Sequence, residues 1–436
     1  MIMNPFTYGD PISDPKRFFG RQLEIEQVFS RLRNSEFESS SLVGERRVGK
    51  TSLLNYLAHP DVRRAHGLDP DKYLFVYVDL QMVDKDTTST RLWQRLLRQT
   101  AKCCYDDGVK QILEEVRHTE SIDTFALADL FDSIDEKDKY IVFLLDEFEN
   151  VTENANFDSS FFYGLRSLAI HHNLSFITSS CHELIDLCHS GDIRSSPFFN
   201  IFANINIPLF NKNEAQNLIS QLLAGTGVTF TDAENALIFG IAGCHPYFLQ
   251  AACSFLFDAH AMKLDPVERV SFLRKEFREE ASPHMANYWQ DSDEQEKIVL
   301  TVLTLLERQR GTNGPHFSVK QLQDLYAHSN QTLARLEKRA LVASGGDTYS
   351  LFNASLGEWI FNEITNTGND QQSYDEWLKS GNGIVERFAA GARKELGAVL
   401  PEISNNYREL IIHWISDPKT LMAGVGLLKI ALGLLG

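Results

Sequence analysis

The sequence lacks several features that would assign it at once to a class of protein. Its six cysteines include no C-x-x-C pair, which argues against a disulfide scaffold and a common zinc site and favours reduced thiols. The first ten residues contain no basic segment followed by an apolar one, and no stretch reaches the roughly 20 apolar residues of a membrane-spanning helix. We therefore expect a cytoplasmic globular protein.

Positive charge is also scarce. The 42 basic residues are outnumbered by 59 acidic ones, and the formal net charge is −17. A surface this acidic repels phosphate backbones on average, so binding to nucleic acid would require a local basic patch. Binding of a nucleotide is not excluded, because backbone amides, a lysine and a metal ion are enough to hold its phosphates.

Apolar runs that alternate with helical patterns fill the first half of the chain. Continuous apolar runs are typical of strands covered on both faces, and their alternation with helices predicts a parallel α/β sheet sandwich. The predicted strands are 39–43, 73–80, 140–145 and 174–179, with a short last strand at 205–207.

The 436 residues are too many for a single hydrophobic core. After the α/β part the pattern turns helical, and then two short strands flank Gly345-Gly346 behind further helices, which is the outline of a winged helix. The predicted domains are an α/β domain over 1–210, a helical domain over 211–288, a winged helix over 289–365, and a linker with a helical tail over 366–436.

The first predicted strand runs into a glycine-rich turn with the sequence GERRVGKT, from Gly44 to Thr51. It fits the P-loop pattern G-x-x-x-x-G-K-[ST], in which backbone N–H groups converge on a polyphosphate at the N-terminus of a helix. Lys50 is predicted to neutralise the β- and γ-phosphates, and Thr51 to supply a hydroxyl ligand to Mg²⁺. The residues predicted to contact nucleotide here are Gly44, Glu45, Arg46, Arg47, Val48, Gly49, Lys50, Thr51 and Ser52.

An acidic pair, Asp146-Glu147, follows the apolar strand at 140–145. Asp146 is predicted to lie near the metal ion, and Glu147 to orient and activate the attacking water. Two weaker candidates are Ser179, at the end of a strand expected beside this one, and Arg194, in a loop before Pro197. Ser179 either contacts the γ-phosphate or the water, or caps its strand; Arg194 either reaches a phosphate, from its own or a neighbouring subunit, or lies in solvent.

These motifs give the chain a resemblance to the STAND-type and archaeal-ATPase-like branch of the AAA+-related P-loop ATPases. The resemblance covers about residues 4 to 365 and includes Phe19-Gly20-Arg21, Asp146-Glu147-Phe148-Glu149 and Gly243-Cys244-His245-Pro246. It implies that Phe19, Gly20 and Arg21 lie against the adenine of ATP or dATP. It also implies that the helical domain is a lid that closes over the base with Pro246 near it, and that the winged helix holds the nucleotide in an inactive state.

The chain departs from typical STAND proteins after the winged helix, where it has no long repeat-built sensor. An amphipathic helix is predicted at 383–400, and the end of the chain, 419–436, is almost entirely apolar. This end either docks into the ATPase or a symmetric partner, or acts as a small effector that associates with a membrane on activation.

Two functions from different classes fit these observations, and a third, a nucleotide-binding scaffold with no useful turnover, is disfavoured by the intact Glu147. The first is a nucleotide-controlled switch that hydrolyses ATP slowly with Mg²⁺, forms a homo-oligomer when activated, and acts in prokaryotic antiviral defence. The alternative is a DNA-binding ATPase like replication initiators, using the basic residues Arg335, Lys338 and Arg339 of its winged helix. The acidic net charge disfavours this alternative.

Overall fold

The computed structural model describes residues 3–194, 196–310, 317–318, 329–344 and 348–365. The chain forms two compact units. The first unit is Tyr8–Gln221, and the second combines Met1–Thr7 with the chain from Leu222 onward.

Within the part that the structure describes, the first unit contains five strands, ten α-helices and three short 3-10 helices. The strands are β1 (Ser39–Val43), β2 (Tyr73–Asp79), β3 (Tyr140–Asp146), β4 (Leu174–Ser180) and β5 (Phe202–Asn206). The helices are α1 (Gln22–Leu32), α2 (Lys50–Ala58), α3 (Pro60–Ala65), α4 (Ser89–Cys103), α5 (Asp107–Arg117), α6 (Thr124–Asp135), α7 (Glu149–Thr152), α8 (Ser159–His171), α9 (Gly191–Arg194) and α10 (Lys212–Leu223).

All five strands are parallel, in the order β2-β3-β4-β1-β5. Alternate residues of β3 enter opposite cores: Phe143 and Leu145 pack in one apolar cluster and Val142 and Leu144 in another. This two-sided burial explains why the strands are continuously apolar. The predicted parallel α/β sandwich is confirmed, and the last strand begins three residues earlier than expected.

The order of the strands decides what can meet at the carboxyl edge of the sheet. β4 lies between β1, which leads into the glycine-rich turn, and β3, which ends at Asp146. The register places Val43 opposite Ser180 and Leu145 opposite Thr178. The ends of these three strands therefore share one edge, which is where ligands bind in open α/β sheets.

The second unit is mainly helical. Its helices are α11 (Asp232–Ala242), α12 (Pro246–Ala261), α13 (Pro266–Gln290), α14 (Glu294–Arg310), α15 (Ser329–Lys338) and α16 (Ala354–Thr365). It also has a three-stranded antiparallel sheet of order β6-β8-β7, formed by β6 (Phe317–Ser318), β7 (Val342–Ser344) and β8 (Thr348–Leu351). The sequence analysis missed β6, because two residues are too few to show a pattern.

The start of the chain packs within this second unit. The Asn4 side-chain amide donates to the Ser254 carbonyl at 3.1 Å and to Asp258 Oδ1 at 2.8 Å. The Phe6 ring stacks on Phe230 with 6.2 Å between ring centroids. Asn4 and Phe6, which the sequence analysis grouped with the α/β domain, thus contact the helical unit, while the four-domain division stays a prediction.

Within the described residues, no helix is both long and apolar enough to cross a membrane. The tail at 366–436, including its apolar end at 419–436, lies outside the described residues, as do Gly345 and Gly346 of the predicted winged helix.

Candidate nucleotide site

The glycine-rich turn needs its two glycines for different reasons. A Cβ on Gly44 would lie 3.0 Å from the Ile207 carbonyl oxygen, so any side chain there would require the backbone after β5 to shift. Gly49 has open space around it but a φ of +104°, in the region that favours glycine. The Gly44 N–H donates to the Ser180 carbonyl at 3.2 Å, which fixes the turn to the end of β4.

Lys50 begins α2, and its side chain folds over the turn. Its Nζ donates to the carbonyls of Gly44 at 2.7 Å and Glu45 at 3.2 Å, and only 5% of the residue is exposed. The ammonium is therefore held next to the backbone of the glycine-rich turn. The first N–H groups of α2 are also available at this end of the helix. Thr51 follows it and is half-buried.

The other predicted contacts of this loop differ in exposure. Arg46 and Arg47 are exposed, whereas Glu45 is buried and its Oε1 accepts the Arg46 N–H at 3.0 Å. The Ser52 hydroxyl accepts the N–H of Ile12 at 3.0 Å. Its described contact is thus with the segment before α1.

Asp146 closes β3 and is 3% exposed. The Tyr77 hydroxyl donates to its Oδ2 at 2.9 Å, and the Ser179 hydroxyl donates to its Oδ1. The Glu147 N–H in turn donates to Ser179 Oγ at 3.2 Å. The structure therefore brings Ser179 to the acidic pair, as the position of its strand predicted, and the described partners of its hydroxyl are Asp146 and Glu147.

Sequence reasoning missed Tyr77. It lies in an apolar run in which a tyrosine looks like any core residue, and only the pairing of β2 with β3 brings its hydroxyl to Asp146. Burial, followed by the charge of Asp146, raises the pKa of the Tyr77 phenol well above its ordinary value. The phenol is therefore a hydrogen-bond donor at any ordinary pH.

Glu147 is half-buried and has a left-handed backbone with φ of +56°. Burial, followed by the charges of Glu149 and Asp146, raises the pKa of its carboxyl, while the charge of Lys50 acts in the opposite direction. Left-handed backbone costs a side-chain-bearing residue on the order of 1–3 kcal/mol and is concentrated at functional sites. Arg21 and Arg47 share this conformation, with φ of +68° and +63°.

The segment Phe19-Gly20-Arg21 lies against the glycine-rich turn. Arg21 is 3% exposed, and its Nη2 donates to the Val48 carbonyl at 3.0 Å. Its N–H donates to Glu214 Oε1 at 2.9 Å, and its guanidinium lies 4.8 Å from the centre of the Phe210 ring. A side chain on Gly20 would meet Glu214 Oε1 at 2.9 Å. Sequence reasoning missed Phe210 and Glu214, which hold this segment in place.

One predicted site residue of the first unit, Arg194, is not joined to this group by any contact in the described part of the chain. Arg194 ends the one-turn helix α9, and its side chain is exposed. Pro246 begins α12 in the second unit, and Phe19 is half-buried beside Gly20. The proposed adenine contacts of Phe19 and Pro246, and the phosphate contact of Arg194, stay predictions.

The oxygen ligands and N–H groups at the carboxyl edge of the five-stranded sheet suit a triphosphate with a magnesium ion. Mg²⁺ prefers hard oxygen ligands, and a buried carboxylate and a hydroxyl at the start of a helix are of that kind. Because Gly44 and Gly49 carry no side chains, the backbone of the turn can approach phosphate oxygens closely. The residues present therefore fit a Mg²⁺-bound nucleotide.

Two of the three basic residues proposed to contact DNA form ion pairs with acidic residues of this chain. Arg339 is 5% exposed, and its Nη1 lies 2.6 Å from Glu296 Oε2 and 3.0 Å from Ser292 Oγ. Arg335 forms an ion pair of 2.9 Å with Asp293. Asp293 directly precedes α14 and Glu296 lies in its first turn, so both ion pairs link the end of α15 with the start of α14.

Comparison with known proteins gives one family and a set of similar folds. The family described as Novel STAND NTPase 2 matches residues 34–304. The Aeropyrum pernix ORC2 protein is similar in structure, with a TM-score of 0.53, 14% identity, and coverage of 82% of this chain and 96% of that one. The Walker-type ATPase of Pyrococcus abyssi is similar with a TM-score of 0.50 and 13% identity, and the match covers 81% of this chain and 98% of that one. At such identities these two show the fold alone, and no curated protein matches.

Proposed function

Because this chain belongs to the Novel STAND NTPase 2 family, and so is a P-loop NTPase, we propose that it acts as a switch controlled by ATP and Mg²⁺. The observation that carries the proposal is the shared edge of β1, β4 and β3. There the glycine-rich turn, Lys50 and the Asp146-Glu147 pair are tied together through Ser179 and Ser180.

In this proposal each residue has a separate task. The loop amides and Lys50 bind the β- and γ-phosphates, and Thr51 and Asp146 hold the metal ion, which neutralises charge on the phosphate oxygens. Glu147 orients the attacking water and accepts its proton. Positioning and electrostatics supply most of the catalysis in phosphoryl transfer, and we propose slow turnover, as suits a switch.

In the second unit, the turn before α12 packs closely against Phe352, which directly follows β8. This contact supports a joint movement of α12 and the three-stranded sheet. Gly243 has φ of +62°, and a side chain there would meet the Phe352 carbonyl oxygen at 2.2 Å. The Phe352 ring stacks on the Phe248 ring with 6.0 Å between centroids, and the centroid of the His245 ring lies 5.8 Å from that of Phe352. We propose that this unit comprises the lid and the winged helix, and that the two move together when nucleotide is exchanged.

We further propose that this movement drives homo-oligomerisation and releases the apolar end at 419–436 to act on a membrane in antiviral defence. A deletion of 419–436 tests the last step. Loss of liposome binding and of cell toxicity, with ATPase activity kept, is expected. Unchanged liposome binding and toxicity would exclude a membrane role for this segment.

The switch itself is tested by native mass measurement of the protein with and without ATP and Mg²⁺. The wild type is expected to bind nucleotide and to assemble with it. Glu147→Gln is expected to retain nucleotide and assembly for longer, because turnover is blocked. Lys50→Ala is expected to lose both. A wild type whose mass does not respond to ATP would contradict the proposal, and an unchanged turnover in Glu147→Gln would remove the proposed role of that carboxylate.

The second candidate, a DNA-binding initiator-like ATPase, agrees with the fold likeness to the ORC2 protein. The ion pairs of Arg335 and Arg339 count against it. A gel shift at low salt with Lys338→Ala as the variant separates the two functions, since this side chain is exposed and its removal leaves both ion pairs in place. Salt-sensitive binding that this variant weakens would favour the DNA-binding function.

A further inference from the structure

The Asp146 carboxylate accepts hydrogen bonds from the strands on both sides of it. Tyr77 in β2 donates to Oδ2 at 2.9 Å, and Ser179 in β4 donates to Oδ1. Each oxygen thus has its own hydroxyl donor, and the three residues lie on three adjacent strands. An ionised carboxylate has about four acceptor sites, so two hydroxyl donors leave capacity for further ligands.

The Tyr77 ring is anchored in a particular core. It packs against the apolar cluster that includes Leu53 and Leu57 of α2. The same helix begins with Lys50 and Thr51. One rigid aromatic side chain therefore connects the core beneath the phosphate-binding helix with the carboxylate at the end of β3.

We propose that Tyr77 is a positioning residue for the divalent cation of the nucleotide site, acting through Asp146. This inference rests on the proposed function. The hydroxyl prevents rotation of the carboxylate, so that the acceptor sites not used by Tyr77 and Ser179 keep one direction whether or not the cation is bound. Donors of this kind, behind a metal ligand, typically change metal affinity by about 10–100-fold when removed.

A merely structural role for Tyr77 predicts something different. If its hydroxyl served only to satisfy a buried carboxylate, then Tyr77→Phe would lower the free energy of unfolding and leave the response to Mg²⁺ unchanged. The test must therefore measure the cation response separately from folding and from turnover.

The experiment is a Mg²⁺ titration of the binding of a fluorescent ATP analogue to the full chain. For Tyr77→Phe, the Mg²⁺ concentration at half-maximal binding is expected to rise at least about tenfold, while binding in EDTA stays within about twofold of the wild type. Tyr73→Phe is the matched control, because Tyr73 lies in the same strand and packs against the same cluster. Thermal unfolding without nucleotide confirms that each variant is folded.

A double-mutant cycle that combines Tyr77→Phe with Asp146→Asn tests whether Tyr77 acts on the cation through Asp146. If Tyr77 acts through Asp146, then Tyr77→Phe adds nothing to the Mg²⁺ response once Asp146 is already replaced. A full additional effect in that background would overturn the inference. So would a Tyr77→Phe midpoint within about twofold of the Tyr73→Phe midpoint, or a Tyr77→Phe protein that is unfolded. A wild type whose nucleotide binding ignores Mg²⁺ would overturn the proposed function as well, which distinguishes the two failures.

Discussion

Replacement of Arg339 by methionine should destabilise the second unit strongly. Arg339 and Glu296 are each 5% exposed, and 2.6 Å separates Arg339 Nη1 from Glu296 Oε2. Removing one partner of a buried ion pair leaves an uncompensated charge and costs about 3–5 kcal/mol. For a unit of this size that corresponds to a melting temperature lower by roughly 10 °C.

The measurement is urea and thermal unfolding of the full chain, with two companion variants. Arg339→Met combined with Glu296→Gln should recover more than half of the loss, since the amide carries no charge and still accepts the Asp293 N–H that Glu296 accepts at 3.2 Å. The exposed neighbour Lys338→Met should change stability by less than about 0.5 kcal/mol. A loss below about 1 kcal/mol for Arg339→Met, or a double variant no better than the single one, would refute the reasoning.

Three further changes test other parts of the structure. Gly44→Ala should lower ATP turnover at least about tenfold in a phosphate-release assay, because its methyl group would meet the Ile207 carbonyl at 3.0 Å and displace the loop; wild-type turnover would contradict this. Gly243→Ala should cost about 3 kcal/mol in urea unfolding, from the 2.2 Å approach to Phe352 and the positive φ, and a loss below about 1 kcal/mol would not fit. Burial raises the pKa of Glu307 to about 7 from 4.5. The folded state therefore binds the Glu307 carboxyl proton more tightly than the unfolded state does. The protonated Glu307 contributes stability that is fully present below pH 4.5 and is lost as the pH rises through about 7. Glu307→Gln should remove roughly 3 kcal/mol of that loss between pH 5 and 8, and melting curves parallel to the wild type would disprove it.

The features that the sequence predicted correctly are those that depend on residues close together in the chain. A phosphate-binding turn depends on the spacing of glycines, a lysine and a threonine from Gly44 to Thr51. Buried parallel strands depend on apolar runs, so β1 to β4 were predicted to within about a residue at each end. The placement of Ser179 near Asp146 also followed, because parallel strands with helical connections bring their carboxyl ends to one edge.

Tertiary structure alone decided which distant residues support these motifs. Glu214 lies 193 positions from Arg21 and still accepts its N–H, and Tyr77 reaches Asp146 only through the register of β2 and β3. The same applies to Arg339, whose charge indicated a DNA contact in the sequence and forms a buried ion pair in the fold. Local patterns fix backbone conformation and the face that is buried, whereas the partner of a buried polar group is set by packing between segments far apart in the chain.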